Sequence, residues 1–179
     1  MRSAASESPT PRRRPRPMSR PGSGASSAAS SADADAEAIR RLIGRDPHAG
    51  FRVAVRCPFG APAVIENDPR DARGYPFPTR EWLACRALVT AVSRLEAQGG
   101  VRMLEQDPDM AGPLADAHAR HQALHDGHRV AGAGDPDHVK CLHAHLAFAL
   151  AQGGSPVGDW IMERSGAAWP AQCCAGGPA

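Results

Sequence analysis

Residues 51–66 read FRVAVRCPFGAPAVIE, and the fold class turns on this stretch. Phe51, Val53 and Val55 alternate with Arg52, Ala54 and Arg56, the period of a half-buried strand. The turn from Pro58 to Pro62 leads to a second short strand, Ala63 to Glu66, so an antiparallel hairpin is expected with Cys57 at its tight end. A lone hairpin is marginal in water and must pack on helices. On its N-terminal side Ile39, Leu42 and Ile43 form one apolar stripe, with Asp33 and Asp35 as N-cap candidates and Gly44 as the stop.

Beyond the hairpin, a proline-rich loop over 67–78 carries the only tyrosine, Tyr75. Thr79 is expected to cap a helix whose apolar positions Trp82, Cys85, Leu88, Val89, Val92 and Leu95 recur at three and four, ended by Gly99 and Gly100. A short helical stretch from Val101 to Glu105 follows, then a helix from about Met110 to His128. Asp135 and Pro136 stand as N-cap and first-turn proline for a last long helix, Asp137 to Gln152, closed by Gly153 and Gly154. One more short helix is expected around Trp160. The fold class is therefore α+β: a mostly helical bundle carrying one small antiparallel β-hairpin.

Charge divides the chain. Six arginines against the single acid Glu7 make residues 1–32 basic, and the remainder is mildly acidic within a net charge of +2. This proline-, serine- and alanine-rich head lacks the apolar core of a signal peptide, and its prolines forbid a targeting helix. Residues 1–34 are expected to be a disordered tail, 35–174 a single α+β domain and 175–179 a short C-terminal tail. Arg12, Arg13, Arg14 and Arg16 give the tail a weak attraction to nucleic acid or another acidic surface, although no aromatic residues interleave with them. No apolar run approaches the ~18 residues of a membrane span, so a soluble cytoplasmic protein is expected. Lys140 is the only lysine, and the preference for arginine, alanine, glycine and proline is that of a high-GC genome.

Several phrases in register resemble the domain-of-unknown-function family numbered 501, found in high-GC bacteria. They are LIGRDPHAG at 42–50, RCPFGAPAV at 56–64, PFPTREWLAC at 76–85, SRLE at 93–96, VKCLH at 139–143 and PVGD at 156–159. The resemblance spans about residues 36–174 and implies no activity, cofactor or catalytic residue. Phe148 stands where such proteins tend to carry a second histidine, His145 is an addition, and Leu124 falls where a tyrosine is usual.

Chemistry is sought first among the thiols. Cys57, Cys85, Cys141 and Cys173 or Cys174, with His143 or His145, are the candidate ligands of a zinc ion or an iron–sulfur cluster, although no CxxC pair supplies the usual spacing. Cys141 with His143 is also the candidate nucleophile pair of a thiol-dependent enzyme, activated by the nearby Lys140 and His138. With Asp135 as cap, His138, Cys141 and His145 would share one helical face. A third reading is an adaptor without metal, binding another protein.

His118, His121, His125 and His128 are spaced three, four and three, which suits metal chelation or a pH-sensitive interface, but a polar stripe of this kind is more simply a solvated face. Packed antiparallel to the last helix, the stripe would meet His138 and His145. Arg70, Arg73, Tyr75, Phe77 and Trp82 are weighed as a phosphate- or nucleotide-binding loop against a core-plugging role for the aromatics.

Overall fold

The computed structural model describes residues 25–176. The basic segment up to residue 24, including the arginines singled out above, and residues 177–179 lie outside the described residues.

The chain forms helix α1 (Ala25–Ile43), strands β1 (Ala49–Arg56), β2 (Pro62–Asp71) and β3 (Glu81–Leu83), and helices α2 (Arg86–Ala97), α3 (Gly100–Glu105), α4 (Ala111–Leu124), α5 (Leu142–Ala151) and α6 (Pro156–Ser165). A 3-10 turn, Val130–Gly132, joins α4 to the approach of α5. The α+β class holds, and no described helix is long and apolar enough to cross a membrane.

The sheet has three antiparallel strands in the order β1-β2-β3 where a hairpin was expected. Segment 81–83 follows a helical spacing in the sequence, but backbone pairing prevails: Leu83 lies opposite Val64, Trp82 opposite Ile65 and Glu81 opposite Glu66. Asn67 locks the entry to β3, its side-chain amide donating to the carbonyls of Thr79 and Arg80 at 3.1 Å each. Arg80 returns a bond to the Asn67 carbonyl at 2.8 Å. Helix α2 therefore starts at Arg86 with Cys85 as N-cap, not at Thr79.

Being the central strand explains why β2 reads as a continuous apolar run at Ala63–Ile65. Val64 and Leu83 pack into the main core with Leu88, Val92, Leu142, Leu146 and Ile161. Ile65 faces the other way, against Ile39 and Leu42 of α1. Helix α1 starts at Ala25, ten residues ahead of the expected onset of order, because an alanine-rich run favours helix. Asp33 and Asp35 thus lie inside it and do not cap it. Asp35 instead pairs bidentately with Arg56 of β1 at 2.7 and 2.8 Å. Ala175, placed in the C-terminal tail by the sequence, is buried in this second core.

The last long helix is shorter than its spacing predicts. Asp135 accepts a bond from the amide of Asp137 at 2.9 Å and makes a turn. Carboxylates from earlier helices then fix the start: Glu105 holds the approach by accepting from the Val139 amide at 2.8 Å, and Glu96 caps the helix by accepting from the Leu142 amide at 2.6 Å. Cys141 is consequently the N-cap of α5, and His138 and Cys141 lie outside the helix that carries His145.

Helices α5 and α6 touch where Gly158 meets Ala149. A Cβ on Gly158 would stand 2.4 Å from the Ala149 Cβ. Gly158→Ala is expected to cost about 1–3 kcal/mol by overpacking, read as a lower urea midpoint, and Ala149→Gly in the same chain should recover part of it. An unchanged midpoint for the single variant would contradict this close approach.

Candidate metal centre

The thiols do not gather as expected. Cys57, Cys85 and Cys174 border a small apolar void of about 10 Å³ with Leu42 and Ala175. Cys173 packs at the margin of both cores. Burial pushes the Cys85 thiol up, and Cys174 adds to the effect. Cys141 is elsewhere, and among the described residues no three of Cys57, Cys85, Cys141 and Cys173 come within coordinating range. The cause is topological: Cys85 opens α2, whereas Cys141 docks beside Glu96, about three helical turns further along. His145, the other expected ligand, is buried against His118 with ring centroids 5.1 Å apart.

Cys141 and His143, however, do meet, and Glu96 joins them. Sγ of Cys141 is 3.6 Å from Nδ1 of His143, and Oε1 of Glu96 is 3.2 Å from the same nitrogen. These sulfur, nitrogen and oxygen atoms all lie within 4.8 Å of one another in a half-buried setting. On the far side of the ring, Nε2 lies 3.2 Å from the Val89 carbonyl and 3.1 Å from Ser93 Oγ. A carbonyl only accepts, so Nε2 carries a proton, and Nδ1 is the nitrogen that faces the sulfur and the carboxylate.

Burial raises the Cys141 thiol above its ordinary value; the Ala144 and His143 amides partly offset this, and the Glu96 carboxylate reinforces it. Lys140 is exposed, and His138 is engaged by Glu105 at 3.2 Å. Neither supplies the activation expected of a nearby cation. Cys141 also lines a cleft of about 310 Å³ with Phe77, Trp82, Lys140 and Ala144, which gives the cluster a route to solvent.

A second cluster lies on α4. The histidine stripe expected to be solvated is mostly interior: His118, His121 and His125 are buried, and only His128 is exposed, beyond the helix end. Glu81 of β3 receives two of them, with Oε1 2.6 Å from His125 Nε2 and Oε2 3.1 Å from His121 Nε2. His121 Nδ1 lies 2.5 Å from the His128 carbonyl, brought back by a turn through Asp126 and Gly127, both at positive φ. Burial acts to raise the Glu81 carboxyl, but the hydrogen bond and charge of His121, followed by those of His125, outweigh it and hold it below the ordinary carboxylate value. The amide of Val130 donates to His118 Nδ1 at 3.2 Å. Burial lowers the pKa of His118, and it lowers that of His145 to about 3, with His118 and His121 adding to the latter shift. The expected meeting of the histidine stripe with His145 therefore occurs, at His118, and His138, although outside α5, also lies beside His118, offering its backbone to the ring.

Glu81 and Glu96 were not among the candidate ligands, although both fall within the family phrases, PFPTREWLAC and SRLE. Misassignment of 81–83 as helix concealed the first; no local signal marks the second, whose partners lie about 46 residues away. The loop residues weighed as a nucleotide site have local partners: Arg70 donates to the Gly74 carbonyl, Arg73 pairs with Asp71, and Phe77 packs on Trp82. Tyr75, expected inside, is 65% exposed.

A family model described as a protein of unknown function (DUF501) matches residues 53–129 and 118–163. Neither the curated proteins nor the solved structures yielded a match.

Proposed function

The chain belongs to DUF501, a family of unknown function, and on that premise we propose that it binds a divalent metal of the zinc class through Cys141, His143 and Glu96. The observation that carries this reading is the convergence of Sγ and Oε1 on one ring nitrogen, Nδ1, while Nε2 is held by the Val89 carbonyl. A histidine that ligates metal characteristically donates its other N–H to such a carbonyl, which fixes tautomer and ring orientation. Charge favours the same conclusion: a thiolate and a carboxylate balance a dication, so the half-buried site becomes neutral once the thiol proton leaves for solvent. A three-ligand zinc site needs an open position for water or substrate, and of the three ligands Cys141 borders a cleft. With a single thiol at the cluster, the donor set suits zinc and not an iron–sulfur cluster. In a reducing cytoplasm the thiol stays available.

The thiol-enzyme reading ranks behind it. A relay would place sulfur and carboxylate on opposite nitrogens of His143, and here they share one, while burial and Glu96 hold the sulfur protonated.

Protein purified without a histidine tag and loaded with cobalt should show a thiolate-to-cobalt charge-transfer band that Cys141→Ser abolishes. Glu96→Gln, whose amide oxygen still caps Leu142, should weaken binding by about tenfold or more. Folded wild-type protein that gives no such band would overturn the proposal.

A further inference from the structure

The buried cluster on α4 has a feature that hydrogen bonding within the protein leaves open. The His128 carbonyl can only accept, so His121 Nδ1 donates to it, and a neutral His121 then turns an Nε2 lone pair toward Glu81 Oε2, 3.1 Å away. The carboxylate also has only lone pairs to offer. Two acceptors face one another in a site where Glu81 is 3% exposed and His121 fully buried, and a cation must lie between them. A proton on His121 is one solution. A metal ion is the other, and the rest of the cluster is built for it. His125 brings a second Nε2 to the other carboxylate oxygen, at 2.6 Å. All three ligand atoms lie within 4.8 Å of one another. His121 and His125 sit four apart at the end of α4, the spacing at which two imidazoles address one ion. The His128 carbonyl fixes the His121 ring from behind as an outer partner does in a metal site.

We propose that Glu81, His121 and His125 form a second, buried site for a divalent cation of the zinc class, which clamps the edge strand β3 to helix α4. The role follows from the placement of the ligands: all three are buried, and they tie a strand to the end of a helix, so the ion acts on the stability of the fold. This site shares no residue with Cys141, His143 and Glu96, and it stands or falls independently of them.

The experiment uses the full chain carrying Cys141→Ser, so that the thiol site is removed. After zinc loading and extensive dialysis, this protein is expected to retain one zinc per chain and to melt at a higher temperature than its chelator-treated form. Adding Glu81→Gln should weaken zinc binding by more than about 100-fold and abolish the thermal shift. The substitution is mild for the empty protein: the Gln amide donates to the His121 Nε2 lone pair while its oxygen accepts from His125, so every polar atom keeps a partner. Cobalt in the Cys141→Ser protein should give a weak visible absorption with no thiolate charge-transfer band, a readout independent of the Glu81 variant. Failure of the Cys141→Ser protein to retain zinc, or retention undiminished by Glu81→Gln in a folded chain, would show that the cation between Glu81 and His121 is a proton.

Discussion

Acidifying the metal-free protein from pH 6.5 toward 3 is expected to remove on the order of 4–5 kcal/mol of stability through His145 alone. His145 is buried and neutral, with its pKa lowered to about 3 by burial and then by His118 and His121. Between about pH 3 and 6.5 the unfolded chain holds a proton on this ring that the folded chain lacks, so stability rises with pH across the window and falls on acidification. His118, lowered chiefly by burial, acts in the same direction. Glu81, held below the ordinary carboxylate value, adds a further loss once pH falls through its folded pKa. Urea unfolding at pH 7.5 and 5.0 tests the claim. His145→Leu keeps the volume and removes the titration, so it should be less acid-sensitive than the wild type by about 2 kcal/mol at pH 5.0. Equal acid sensitivity in the two proteins would refute the assignment.

Glu81→Ala should destabilise the empty protein by about 3–5 kcal/mol, because it leaves two interior imidazoles without their common acceptor. Glu81→Gln at the same position should cost no more than about 1 kcal/mol, since the neutral tautomer of His121 accepts from the amide. The contrast between the two variants measures hydrogen-bond matching and not volume. Denaturation midpoints at pH 7.5 read it directly, and similar losses for Ala and Gln would mean that the carboxylate charge itself is what the site requires.

How much of this was legible before the structure depends on the range over which each feature is encoded. Alternation at Phe51, Val53 and Val55 is local and marks β1 correctly. The spacing of Leu88, Val92 and Leu95 likewise marks the buried face of α2. At Trp82 the same apolar pattern misleads, because pairing with Ile65 of β2 is invisible in a window around residue 82 and overrides helical spacing. Asp135 and Pro136 present good capping chemistry, yet Glu96 and Glu105 move the start of α5 to Leu142 from distant positions. The Cys141–His143 contact is encoded two residues apart and was readable. Its carboxylate was not. Convergence of Cys57, Cys85 and Cys141 was inferred from residue type alone, and residue type says nothing about which end of a helix each thiol reaches. The histidine stripe had the right period but the wrong side of the surface, since only the fold shows that β3 and α5 cover it.

The carboxylate bonds at Val139 and Leu142 also bear on the order of folding. Their sequence separations of 34 and 46 residues make the first turn of α5 dependent on loop closure, so its amides gain protection only after α2 and α3 have docked. Cys141, the N-cap of this turn, and His143, inside it, therefore acquire their geometry late, and a nascent chain that has not yet closed the loop has no cluster to trap a stray ion prematurely.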